Sequence, residues 1–572
     1  MVAPRTVVQR LVALLLMDTV LSLYALSLKA SPQARRAGVV SDECDVVVIG
    51  AGLGGLSSAS VLSSLYGQKV QVFEAHSRPG GCAHSFQIKS KKSSCTYNFD
   101  SGPTITLGCS APPYNPLAQV LKAVGAGDYI DWIQYDRWGM VTENGSWPFV
   151  LGEQKFETGP LKQYGGPFAV EEFQALRVAC APLCAGAASI PTMALRSDTW
   201  KILPLLPHID ALKKVIPYAD VLNGSFEPFL AQHVRDLWLK SWLDALAFSL
   251  SGLPAGKTGA ATMAYTLYDL HREGATLDYP RGGFGEIAEA FVRVVEETGS
   301  KVHLSSTVAS IAVEGGRAAG VILGDGTFVR ARRGVVCNAN LWALPALLKR
   351  DEAKLSTSQK AELVEAPATV AKTKTFSHLH LGLDASGLDR SKLLPHYTVM
   401  DLGLHSADPC ADRNMVAVSN PSLLDASLVS GEDAENKLMI HAYTAGNEPY
   451  EPWKDKSGTA NYDKRKEESC EILFRSVSRA LGISREELAR RTDVQLLGSP
   501  YTHARYLRRQ DGTYGAEFGS MLAGPTTTLP GLFLAGDGTF PGIGVPAVAV
   551  SGAQAANSMV SVARHILFGH PK

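Results

Sequence analysis

The chain has 572 residues, too many for one simple core at roughly 100–200 residues per domain, so two or three domains are expected. Lysine plus arginine and aspartate plus glutamate both number 55, and the resulting zero net charge lacks the basic footprint that nucleic-acid binding needs. Hydrophobic residues reach 45% and charged residues only 19%, which excludes a disordered chain and points to a large interior, an apolar cavity or a membrane-docked surface.

From Met1 to about Asp42 the only acidic residue before Asp42 is Asp18, while Arg5, Arg10, Lys29, Arg35 and Arg36 are basic. With the apolar run Leu11 to Leu28, this reads as a targeting leader over residues 1–42, a signal or two-part organelle segment. A retained membrane anchor and a simple tail are the alternatives; Asp18 disfavours the anchor.

Next, Asp45 to Ile49 is a short β-branched run that enters Gly50-Ala51-Gly52-Leu53-Gly54-Gly55 and then a helix-compatible stretch from Leu56 to Leu65. Strand, glycine turn and helix in that order form a dinucleotide site: Gly50 for the turn, Gly52 for backbone approach to a pyrophosphate, Gly55 for close helix packing. A second strand, Val70 to Phe73, ends at Glu74, 24 residues beyond Gly50, where a carboxylate can bind ribose hydroxyls.

Glu74 is followed by Arg78-Pro79-Gly80-Gly81-Cys82 and then by Tyr97 to Pro103. These segments resemble flavoproteins of the amine oxidase and phytoene desaturase superfamily, and the resemblance implies FAD. It implies Glu74 at the adenosine ribose, Arg78 near the nucleotide, and Gly80 and Gly81 against pyrophosphate and flavin. Cys82 departs from the pattern, since many members carry arginine there; a packed small residue is expected. Asp100 is either a polar site residue or a turn or cap.

Tyr279 to Ile287, a helix-like stretch to Thr298, and strands at Lys301 to Leu304 and Val308 to Ile311 are similar to the middle of phytoene desaturase and carotenoid isomerase type enzymes, where Val308 would contact adenine through its backbone. Pro500 to Arg509 with Gly512 to Gly515 resembles the carotenoid isomerase branch, to which retinol saturase is related. At the far end, Leu529 to Leu534 reads as a strand entering Gly536-Asp537, then Gly542-Ile543-Gly544-Val545 and a helix-like run from Ala547 to Ile566. The resemblance implies Asp537 at the ribityl or pyrophosphate region and Gly544 and Val545 at the flavin. A helix start there favours a negatively charged reduced flavin.

Residues 116–274 and 346–494 lack nucleotide signals and are assigned to the substrate part. The run Trp200 to Leu222 interleaves leucines and isoleucines with Lys201, Lys213 and Lys214 and is broken by Pro204, Pro207 and Pro217, a pattern suited either to docking on an anionic membrane or to core packing. His378 and His380 face one side of a strand; too few ligands accompany them for a metal, and structural or substrate-lining roles are expected. His503, Arg505 and Tyr506 receive no catalytic role, and catalytic residues stay unassigned. Nine scattered cysteines without a C-x-x-C pair support neither zinc nor a disulfide framework; Cys180 and Cys184 read as core thiols one helical turn apart.

The expected fold class is α/β: a Rossmann-type FAD-binding domain with a parallel sheet, from residues 43–115, 275–345 and 495–572, interleaved with an α+β substrate domain from 116–274 and 346–494. The family resemblance implies an FAD-dependent carotenoid cis-trans isomerase-like enzyme acting on an apolar polyene with reduced flavin, peripheral on a plastid membrane, or on an endoplasmic reticulum or secretory membrane. Desaturation or saturation of a carotenoid or retinoid, and a non-catalytic flavin-binding component of a pigment complex, remain open; metal and nucleic-acid partners are not expected.

Overall fold

Short β-branched runs punctuated by glycine build the first layer. The computed structural model describes residues 40–152, 154–454 and 458–569, with backbone alone over 186–189, so residues 1–39 of the expected leader lie outside the described residues. Strands β1 (Glu43–Ile49), β2 (Val70–Phe73), β3 (Lys301–His303), β4 (Val308–Glu314), β5 (Arg317–Leu323), β6 (Phe328–Cys337) and β7 (Leu532–Leu534) form one sheet. Its order is β3-β2-β1-β6-β5-β4, with β7 paired to the end of β6. The β3-β2, β2-β1, β1-β6 and β6-β7 pairs are parallel; β4 and β5 add an antiparallel extension. Register sets Ile49 opposite both Phe73 and Cys337, so β1, β2 and β6 end at a common edge, where an open α/β sheet takes its ligand.

Helix α1 (Leu53–Ser60) packs against both α2 (Gly285–Glu297) and α3 (Val545–Met559). The backbones of α1 and α3 touch: a Cβ added to Gly552 would lie 2.1 Å from the Gly54 carbonyl oxygen. The single run expected from Ala547 to Ile566 is two helices. Val560 is extended, and the Ser561 side chain accepts from the Arg564 amide to start α4 (Val562–Phe568).

A second sheet has seven strands in the order Thr492–Gly498, His378–Asp384, Lys437–Thr444, Met415–Ser419, His396–Met400, Arg137–Thr142, Gly145–Val150. Alternation within Met415–Ser419 sends Val416 and Val418 into a core shared with Leu473 and Val477 of the helix Ala460–Leu481, and turns Met415, Ala417 and Ser419 to the opposite side. Helices Ala169–Ser189, Leu237–Ser251 and Ala260–His271 pack around Phe149, Phe156 and Trp242, an aromatic core that includes Cys180. The run from Leu203 to Leu222 is four short helical pieces, as its prolines dictate. The described residues from Ser41 onward pack as one unit.

Candidate functional site

The glycine turn after β1 has the geometry a dinucleotide cradle requires. Gly50 takes φ +91°. A Cβ at Gly55 would lie 2.1 Å from the Gly50 carbonyl oxygen, so only glycine lets α1 start this close to β1. Gly52 precedes α1 in extended conformation with no side chain capping the helix, leaving its first amides open. The Glu74 carboxylate is fixed at the end of β2 by the amides of Ala51 and His76, each at 2.7 Å.

Gly80 donates its amide to the Ala51 carbonyl at 2.7 Å, and a Cβ on Gly81 would meet the Gly52 Cα at 3.2 Å, so the double glycine lies directly on the turn. Arg78 donates to the Ser85 carbonyl at 3.2 Å. Ser306 donates to the Glu74 carbonyl, which brings the start of β4, and with it Val308, beside the end of β2. Asp100 is a cap rather than a cavity residue: buried, it accepts from Ser85, Tyr279 and the Phe284 amide at 2.7 to 2.8 Å. Burial pushes its carboxyl up to about 6.

The far end of the chain closes the cradle. Gly536, at φ +102°, donates to Ser551 of α3 at 2.9 Å. Asp537, expected at the ribityl or pyrophosphate region, is ion-paired with Arg509, a residue to which the sequence reading gave no role. Burial pulls the Arg509 guanidinium down, but the Asp537 carboxylate outweighs it and holds the group above its ordinary value. Cys82 sits beside this pair, its thiol raised by burial against the opposing pull of Arg509. Asn338, directly after β6, was also missed: its side chain lies where Cβ atoms on Gly52, Gly54 and Gly536 would stand, joining the two glycine segments. A lone asparagine carries no motif, so only the fold reveals it. Gly544 (φ +115°) precedes α3 without a side-chain cap and with open space where its Cβ would be.

One cavity of about 990 Å³ joins these elements, at the upper end of the ~300–1,000 Å³ typical of ligand sites. Every residue expected at the nucleotide except Gly55 lines it: Gly50, Gly52, Glu74, Arg78, Gly80, Gly81, Val308, Gly536, Asp537, Gly544 and Val545. Gly55 acts behind the lining, through its packing on Gly50. The cavity continues between the second sheet and the helices above it, past Met415, Ala417 and Tyr443 on one side and Leu246, Leu250 and Tyr265 on the other. Two uncapped helix starts, an acidic strand end and touching glycines open on one space. These residues fit a flavin dinucleotide, with one helix start for phosphate and one for the ring system.

His378 and His503 line the same cavity, their rings edge to edge and nearly coplanar with 4.7 Å between centroids, and burial holds His503 down to about 3. His380 turns to the Asp100 carbonyl at 3.2 Å. Among the described residues no cluster suited to a metal is found, and no helix is long and apolar enough to cross a membrane. Trp200, Ile202, Leu206, Ile209 and Ile216 are each at least half exposed. Val215 and Leu222 of the same run line the cavity, and α4, with Leu567 and Phe568 exposed, packs beside Leu203–His208.

The fold and cradle define a dinucleotide-binding oxidoreductase of the doubly wound α/β class with a second sheet inserted. The chain belongs to the flavin containing amine oxidoreductase family, matched over residues 53–560, and is thus a flavin-dependent enzyme by family. It is 27% identical over 543 residues to the chloroplastic prolycopene isomerase of Daucus carota, covering 91% of this chain and 80% of that protein. It is 23% identical to the hydroxyneurosporene desaturase of Rhodobacter capsulatus, over 91% of this chain and 98% of that one. A solved structure of putrescine oxidase bound to putrescine superposes with a TM-score of 0.56 at 15% identity, over 90% of this chain and 98% of that chain, a likeness of fold.

Proposed function

We propose that this protein is an FAD-dependent enzyme that isomerises an apolar poly-cis polyene of the prolycopene type with its flavin reduced. The observation that carries the reading is the single cavity in which a nucleotide cradle opens into an apolar chamber. In this reading Glu74 holds the adenosine ribose, with Arg78 and Val308 flanking the adenosine. Gly50, Gly52 and Gly55 bring the start of α1 to the pyrophosphate, Gly80, Gly81, Gly536 and Asp537 line the path to the ring, and Gly544 and Val545 present the start of α3 to it. A bound flavin supplies an electron-rich ring that exchanges charge or hydride with a conjugated chain. A polyene has no ionised handle, so the chamber selects it by shape, through Leu246, Tyr265 and Met415, and excludes water.

The exposed apolar face over residues 200–222, with Lys201, Lys213 and Lys214 beside it, docks on an anionic bilayer and receives the substrate near Val215 and Leu222. The chloroplastic relative supports a plastid location. A two-hydrogen redox reaction is the second reading, favoured by the desaturase relative, which this chain matches along nearly its whole length.

The test is to purify residues 41–572, identify the flavin by absorption and mass, and incubate with poly-cis lycopene with the flavin reduced anaerobically and, separately, oxidised. An all-trans product of unchanged hydrogen count, formed only with reduced flavin, is expected. A product differing by two hydrogens selects the redox reading, and FAD with no product from any polyene removes both.

A further inference from the structure

Three histidines that the proposed function leaves unused form a chain. His378 Nδ1 lies 2.8 Å from His441 Nε2, and His378 Nε2 lies 2.6 Å from His503 Nε2. Each is an N–H···N hydrogen bond holding one hydrogen. His503 and His378 reach the cavity; His441 is fully buried, and its Nδ1 has no partner. His380 stacks on His441 at 4.3 Å between centroids without joining the chain.

Three neutral imidazoles own three N–H hydrogens, and two of these bridge the rings. The third sits at one end, on His503 Nδ1 or on His441 Nδ1. An added proton breaks neither bond: His378 then donates at both nitrogens, and both ends carry N–H. The chain is therefore a store for one proton with a single end in the cavity. Burial, with Arg509, His84 and the neighbouring histidines as like charges, keeps it neutral at rest. Among the described residues no carboxylate hydrogen-bonds to these three rings, so the counter-charge for an imidazolium has to come from the cavity's contents.

We propose that His503 is the acid–base group of the cavity and that His378 and His441 hold and relay its proton. The inference rests on the reading that the cavity takes a reduced flavin and a polyene. A negatively charged reduced flavin would make the imidazolium tolerable, and the chain takes its one extra proton from solvent when that charge enters the cavity. His503 Nδ1–H then gives its proton to one sp² carbon of the polyene, whose π pair forms the new C–H bond. The adjoining carbon becomes a delocalised carbocation, and the former double bond turns as a single bond. His503 takes the proton back, the C–H pair re-forms the double bond, and hydrogen and electron counts end unchanged. A buried imidazolium is a stronger acid than one in water, which suits protonation of carbon.

The chain is read first in the flavin-free protein labelled with ¹⁵N-histidine. Two far-downfield protons, each shared between two imidazoles, are expected, and the one between His378 and His503 disappears in His503→Gln while the one between His378 and His441 remains; the absence of either from the parent overturns the chain. With flavin and poly-cis lycopene, the parent's turnover is expected to fall at least twofold in D₂O. His503→Gln should lose on the order of 10²-fold or more in turnover, with flavin content and the polyene's bound absorption band retained. His441→Gln, which leaves the cavity lining intact, should lose at least tenfold. Parent turnover without an isotope effect, or either variant within threefold of the parent, overturns the proposal while leaving isomerisation standing. No turnover of any polyene by the flavin-loaded parent fails both.

Discussion

Replacing Asp537 with asparagine tests how the two ends of the chain hold one site. The substitution keeps the shape of the carboxylate and removes its charge, leaving the Arg509 guanidinium without its counter-ion. The two side chains are only 15% and 16% exposed, so solvent screens the pair little. At ~4 Å and an effective dielectric of ~20 the attraction is worth ~4 kcal/mol, and breaking a buried pair by removing one partner costs ~3–5 kcal/mol. Arg509 keeps its bonds to the Thr513 and Tyr514 carbonyls, at 2.6 and 2.5 Å, so the lower part of that range applies, ~3 kcal/mol. Urea unfolding of the flavin-free protein, followed by tryptophan fluorescence, measures the loss. The double variant Arg509→Met with Asp537→Asn, which buries no lone charge, should recover more than half of it. With FAD bound the phosphates offer Arg509 a new anion, so Asp537→Asn should lose less in the flavin-loaded protein than in the flavin-free one. A loss below ~1 kcal/mol without flavin, the range of an exposed pair, would refute the argument.

Gly55→Ala forces a Cβ to within 2.1 Å of the Gly50 carbonyl oxygen; α1 must retreat, and flavin content after purification should fall at least tenfold while the far-ultraviolet circular dichroism is retained. Asp100, with its folded pKa at about 6 against 3.8 unfolded, binds its proton more tightly in the native state. Stability from this group is therefore present below pH 4 and declines by ~3 kcal/mol as pH rises to 6 and beyond. Asp100→Asn should flatten the unfolding midpoint between pH 4 and 6, and an unchanged slope contradicts the assignment. Replacing Trp200, Ile202 and Leu206 together by serine removes three exposed apolar side chains worth ~1.5–3 kcal/mol each when buried in lipid. Sedimentation with vesicles containing anionic lipid should drop by more than 100-fold in partition coefficient, and equal partitioning of variant and parent would remove the docking face.

The nucleotide half was legible because its constraints are local. Gly50, Gly52, Gly55 and Glu74 sit on one strand-turn-helix-strand unit, where each glycine answers a positive φ or a contact too close for a Cβ. The same holds for Gly536 and Gly544 around β7 and α3. Asn338 and Arg509 could not be read this way. Asn338 matters because β6 lies between β1 and β7, strands nearly 500 residues apart in the chain that each pair with it, and Arg509 because a short loop turns it onto Asp537. The break at Val560 was hidden because an apolar run does not show where a serine will cap a new helix.

The second sheet shows the limit most sharply. The sequence puts His378 and His380 on one strand face, which is correct, and from two histidines alone a structural role is the sound expectation. His441 arrives from the neighbouring strand and His503 from a helix that follows the sheet's outermost strand. Only this register brings a third imidazole within 2.8 Å of one ring nitrogen and a fourth within 2.6 Å of the other. The chain buries ring nitrogens, one of which, His441 Nδ1, is left without a partner, and an unpartnered buried polar group costs free energy. Two of the three linked imidazoles stand at the cavity wall and the third lies buried behind them, an arrangement that packing alone does not require. Proton exchange with the cavity's contents, as proposed above, gives the arrangement a use, and the loss of turnover expected in His503→Gln and His441→Gln is what separates it from a purely structural chain.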